Sequence, residues 1–171
     1  IMEQPKVLRD TIQSTLKCGC NKNIIDSIDI SRFGKIVITA CGSAYNAGMV
    51  AKYVFERLCR LPVETELASE FRYKDAIIDN NTLVILVSQS GETADTIAAM
   101  REAKRKGAAT LSIVNVMGST IAKEADYTLY TLAGPEIAVA TTKAFSAQLV
   151  LLYILAVRFS GKYGKISQEQ E

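Results

Sequence analysis

The run Leu83-Val84-Ile85-Leu86-Val87 holds no polar residue, and Ser-Gln-Ser-Gly-Glu-Thr follows it at once from Ser88 to Thr93. A strand with one wet face would alternate apolar and polar side chains. This one does not, so both of its faces must be covered. The next segment, Ala94 to Lys106, has helical spacing and stops at Gly107. A strand covered on both faces and followed by a helix is the unit from which parallel sheets are built.

The same alternation recurs along the chain. Lys35–Cys41, Val63–Leu67, Thr82–Val87, Thr110–Val114 and Tyr127–Thr131 read as strands. Glu3–Leu16, Ala44–Arg60, Ala68–Tyr73, Ala94–Lys106, Thr120–Ala125 and a final segment over about 142–159 read as helices. Pro5 stands in the first turn of the first helix, where its missing N–H costs little. Cys18 to Asn23 reads as a polar break, and the tail Ser160 to Glu171 turns polar and is expected to fray. The expected fold class is α/β: a three-layer sandwich around a five-stranded parallel sheet, in the flavodoxin-like order 2-1-3-4-5. At 171 residues the chain fits one domain, 1–171, with a helix over about 3–17 at its start and a long helix over about 142–159 near its end.

Composition excludes more than it selects. A net charge of +2 is too small to argue for nucleic acid or an anionic membrane surface. The run Lys104-Arg105-Lys106 ends a helix, where cations suit the dipole. The sequence has 4 cysteines and 0 histidines. Cys18 and Cys20 are one residue apart, which is not the spacing of a zinc or thioredoxin-type site. No metal or other cofactor is expected, and reduced thiols in the cytoplasm are the simplest account. The apolar run Ala144 to Val157 is 14 residues long, short of the ~20 that span a bilayer. It reads as a buried helix or an oligomer interface, and Leu149 to Leu155 is apolar on all sides, which suggests a homodimer.

The chemistry gathers where strands give way to helices. In a sheet ordered 2-1-3-4-5, the loops after the first and third strands lie side by side at the switch point. They are Cys41-Gly42-Ser43-Ala44-Tyr45-Asn46 and Ser88 to Thr93. A further loop, Ala133 to Lys143, opens the last helix in similar style. Helix N-termini carry unpaired N–H groups and partial positive charge, so they bind anions. Hydroxyls add donors without bulk, and Gly91 lets backbone approach a ligand. No G-x-x-x-x-G-K-[ST] or G-x-G-x-x-G run occurs, so a single phosphate on a small polyol fits better than a nucleotide. Glu92 is expected in the first helical turn, facing away from that phosphate. Lys143 either reaches a ligand or lies in solvent.

Four stretches carry a family resemblance: Cys41 to Gly48, Glu66-Leu67-Ala68-Ser69-Glu70-Phe71-Arg72-Tyr73, Ser88 to Thr96, and Ala133 to Phe145. Together with the opening Glu3-Gln4-Pro5 they resemble the glutamine-dependent glucosamine-6-phosphate synthases, over nearly the whole chain. The resemblance implies a sugar isomerase (SIS) domain, the first of the two that follow a glutaminase domain in that family. It implies a phosphate of fructose 6-phosphate or glucosamine 6-phosphate resting on Ser88, Gln89, Ser90 and Thr93. It implies sugar contacts at Ser43 and in the loop around Val139 and Thr141. The family often has Thr-Ser where this chain has Ser43-Ala44, so one hydroxyl is missing there. The family's ring-opening histidine and proton-moving carboxylate belong to the second SIS domain, and its active sites borrow residues across a dimer. A chain with no histidine is then expected to bind sugar phosphate without full catalysis, and no catalytic residue is assigned to it. The alternative is a non-catalytic sugar-phosphate sensor.

Overall fold

The computed structural model describes residues 1–17, 19–137 and 140–162. Expectations for Val139 and for the tail beyond residue 162 lie outside them. The elements in chain order are α1 (Gln4–Leu16), α2 (Cys20–Ser27), β1 (Lys35–Ala40), α3 (Gly42–Cys59), β2 (Val63–Leu67) and α4 (Ala68–Phe71). Then follow β3 (Thr82–Ser88), α5 (Ala94–Arg105), β4 (Ala109–Val114), α6 (Thr120–Glu124), β5 (Tyr127–Tyr130) and α7 (Lys143–Lys162). The strands form one five-stranded sheet in the order β2-β1-β3-β4-β5, and every pairing is parallel.

Both faces of β3 are covered, as its apolar run requires. Leu83, Ile85 and Val87 pack with Ala47, Ala51 and Phe55 of α3 and with Leu151, Leu152 and Leu155 of α7. Val84 and Leu86 point the other way, onto Ala99, Met100 and Ala103 of α5 and Phe71 of α4. Register sets the loops level: Ala40 pairs with Val87, and Ser88 pairs with Val114. Because α3 leaves β1 on one face and α5 leaves β3 on the other, a crevice opens between their first turns.

Two differences from expectation in the α-helices exceed two residues. Cys20 to Ser27 is a helix rather than a polar break. It is short and has no side-chain cap, so tertiary contacts hold it. Ile25 is buried in the core, and the Asn21 amide pairs with the Tyr130 backbone in both directions, at 2.8 and 2.9 Å. Asn21 thereby occupies part of the free edge of β5. The last helix also runs past Phe159 to Lys162. Ser160 Oγ donates to the Leu58 carbonyl at 2.8 Å, and Lys162 Nζ donates to the carbonyls of Ile25, Asp26 and Ile28. A helix of this length and apolarity could cross a membrane by those measures alone, but half of it is buried inside the domain. Its apolar run is covered on one side and part-exposed on the other: Leu151, Leu152 and Leu155 are core, and Leu149, Val150, Tyr153 and Ile154 are half-buried.

Candidate functional site

The loop from β3 to α5 is folded by its own hydroxyls. Ser88 Oγ accepts from the Gly91 amide at 3.0 Å and lies 3.2 Å from Thr93 Oγ1. Ser90 Oγ accepts from the Glu92 amide at 3.2 Å. Gly91 sits at φ +67° and closes the turn. Helix capping would be the ordinary use of such hydroxyls. Yet Thr93, the N-cap of α5, makes no side-chain cap bond, and neither does Cys41 at the start of α3. The opening amides of two long helices are thus left without a capping side chain, with their partial positive charge facing the crevice.

A cavity of about 260 Å³ lies there. Ser43, Ser88, Gln89, Ser90, Thr93 and Thr141 all line it, as do Cys41, Ala44, Val87, Glu136 and Gln148. Six of the expected site residues are therefore brought together by the fold. Val139 falls outside the described residues. A larger groove of about 660 Å³ runs along α5, past Arg72, Arg101 and Arg105. Its cations are already engaged: Arg72 with Asp95, Arg101 with Glu124 and Arg105 with Glu102. The smaller cavity is lined by hydroxyls, and the two helix starts beside it have no capping side chain.

The third loop behaves differently from the other two. Its Glu136 turns back onto the start of α7 and takes hydrogen bonds from the Thr141 hydroxyl, the Thr142 amide at 2.7 Å and the Ala144 amide at 3.3 Å. Burial by itself would raise this carboxyl, but those donors outweigh it and hold it below the usual carboxylate range. The N-terminus of α7 already has its anion, whereas the starts of α5 and α3 have no capping side chain.

Lys143 neither reaches the cavity nor lies in solvent. It is buried, and Nζ donates to Glu3 Oε2 at 2.6 Å. Ser146 Oγ donates to Gln4 Oε1 at 2.7 Å. Glu3 and Gln4 thus clamp the first turns of α7. Glu92 faces away from the cradle as expected, but it precedes α5 instead of lying in its first turn. Its Oε1 accepts from the Thr120 amide at 2.7 Å, which draws the carboxyl below its ordinary range. Asn115 was not singled out by sequence reasoning. Its amide donates to the Gln89 carbonyl at 3.1 Å, its Oδ1 accepts from Thr131 Oγ1 and the Ala133 amide, and its Nδ2 donates to the Gly134 carbonyl. It ties the cradle loop to the third loop. Among the described residues no cluster of His, Cys, Asp and Glu could hold a metal ion. Burial pushes the Cys59 thiol up to about 12, so it remains a neutral core group.

Residues 29–158 match the SIS domain family. A glutamine–fructose-6-phosphate aminotransferase (isomerizing) of Clostridium tetani is 56% identical over 176 aligned residues, covering 99% of this chain and 29% of that relative. The enzyme of the same name from Clostridium acetobutylicum is 51% identical, with the same coverage of 99% and 29%. The chain thus spans about 29% of the length of these curated relatives. Among solved structures, the C-terminal domain of glucosamine-fructose-6-phosphate aminotransferase from Francisella tularensis superposes with a TM-score of 0.90 at 36% identity, over 99% of this chain and 48% of that one.

Proposed function

We propose, for a chain that belongs to the SIS domain family, that the cavity at the ends of β1 and β3 binds hexose 6-phosphates such as fructose 6-phosphate and glucosamine 6-phosphate. The uncapped start of α5, with Gly91 and the hydroxyls of Ser88, Ser90 and Thr93 beside it, is the observation that carries this reading. The phosphate rests on that loop, among Ser88, Gln89, Ser90 and Thr93. Ser43 and Thr141 face the sugar, and Val139, a further sugar contact in this reading, lies outside the described residues.

Aldose–ketose isomerisation needs a base beside C1 and C2 and an acid at the ring oxygen. Among the described residues Glu136 is the one carboxylate lining the cavity, and its oxygens already serve Thr141, Thr142 and Ala144. The chain therefore binds and orients the sugar phosphate without completing the reaction. In this reading it is one SIS unit, residues 1–171, of a cytoplasmic enzyme of the kind its relatives are named for, working beside a glutaminase domain and a second SIS domain. The same lack of a free acid–base pair also supports a second reading, a sugar-phosphate sensor.

Calorimetric titration tests the site itself. Fructose 6-phosphate and glucosamine 6-phosphate are expected to bind, and fructose is not. Equal heats for fructose and its phosphate would remove the cradle from the account. The reading also includes a homodimer through the outer face of α3, where Met49 and Val50 are half-exposed and Tyr53 is 70% exposed. Sedimentation is expected to give twice the monomer mass of 18.6 kDa, and a single-chain mass at micromolar concentration would count against it.

A further inference from the structure

We infer that Gln148 is a specificity-determining residue of this cavity, its side-chain oxygen accepting a hydroxyl of the sugar while the β3–α5 loop holds the phosphate; the inference rests on the phosphate site proposed above. Gln148 lies in the second turn of α7 and lines the cavity from that side. It is only 3% exposed, and its Oε1 has no hydrogen-bond partner among the described residues. A buried amide oxygen without a donor costs free energy, so native proteins rarely keep one without a use.

Packing does not explain the residue type. Its neighbours along this face of α7 are Ala144, Ala147, Leu151 and Leu152, all buried and apolar. A leucine at 148 would fill much the same volume with nothing left unpaired. Nor is another group in that wall free to do the work. Glu136 is saturated by Thr141, Thr142 and Ala144, and the Thr141 hydroxyl spends its proton on Glu136. The Thr141 oxygen has only lone pairs left to offer, and Gln148 Oε1 is the fully buried side-chain acceptor of that wall with no partner among the described residues.

The chemistry also suits it. A sugar hydroxyl donates and accepts, and a carboxamide offers both partners in one plane. The amide is neutral, so it does not oppose a phosphate dianion in the neighbouring loop, as a carboxylate would. A site built to pair with a hydroxyl rejects ligands that lack one. Phosphate contacts give the cavity its anchor, and Gln148 distinguishes what the phosphate is attached to.

The test compares the 171-residue chain with its Gln148→Leu variant, each titrated with fructose 6-phosphate and with inorganic phosphate, alongside thermal unfolding. Fructose 6-phosphate affinity is expected to fall about tenfold, as for one lost hydrogen bond. Inorganic phosphate affinity should stay the same, and Tm should hold or rise because an unpaired buried group has gone. A residue with a structural role, or one satisfied by a buried water, gives the opposite: lower Tm and parallel losses for both ligands. That result overturns the inference, and so does unchanged affinity for fructose 6-phosphate. A wild-type chain that binds neither ligand overturns the phosphate site and this inference with it. A wild-type chain that binds beside an indifferent variant removes Gln148 alone. Gln148→Met keeps the side-chain length and gives the same comparison should leucine impair folding.

Discussion

Gly91→Ala is expected to abolish hexose 6-phosphate binding and to lower stability by about 3 kcal/mol, the sum of a left-handed backbone penalty and an overpacked contact. Gly91 holds φ +67°, and a Cβ built there would come within 2.1 Å of Ser119 Oγ and 2.6 Å of Ser119 Cβ. Ser119 is buried at the start of α6 and cannot swing into solvent. The Gly91 carbonyl also accepts from the Ile121 amide at 3.1 Å, so the turn cannot shift without breaking that bond. The loop would have to open, and the amides at the start of α5 would lose their aim. Gly107→Ala is the control: it shares a positive φ, +84°, but nothing lies within 4 Å of the added methyl. It should cost only about 1 kcal/mol and leave binding intact. Urea unfolding and calorimetry of both variants check this, and equal effects at the two positions would show that crowding against Ser119 is not what matters.

Glu136→Ala is the second large effect, with an expected loss of about 2 kcal/mol, since a charge-assisted helix cap is removed. The Thr142 and Ala144 amides lose their acceptor, and Thr141 loses the group that fixes its hydroxyl. Sugar-phosphate affinity should drop with it. Acid has a related effect on the parent chain. The folded carboxyl titrates below its ordinary value of 4.5, so its contribution is fully present above that value. It is lost as pH falls from there through the lowered folded value. Thermal unfolding followed downwards from neutral pH should therefore show the parent losing more stability in that range than Glu136→Ala. Parallel curves would mean that the carboxylate does not hold the helix start.

The parts of this site that could be read from sequence are the local ones. An unbroken apolar run, a hydroxyl-rich turn with glycine and a helical segment adjoin between Leu83 and Lys106, so strand, loop and helix follow from neighbours in the chain. The crossover rule leaves only a few sheet orders, and the flavodoxin-like choice among them, which is the order found, places Ser43 beside Ser88. Groups paired across long separations were not legible. Lys143 meets Glu3 from 140 positions away, and no spacing rule announces that. Glu136 caps a helix only because its own loop folds back, although an acid shortly before a helix start was a usable hint. Gln148 was hidden inside a run that reads as core. The second helix was missed because Asn21 and Ile25 gain their partners from β5 and the core rather than from their own turn.

Asn115 joins Gln89 on one side to Thr131, Ala133 and Gly134 on the other. Two segments that could each have wandered are therefore immobilised relative to one another before anything arrives. The conformational entropy of assembling the pocket is spent during folding, not at the encounter. A small ligand with few atoms to contribute can then be captured without having to organise its own receptor.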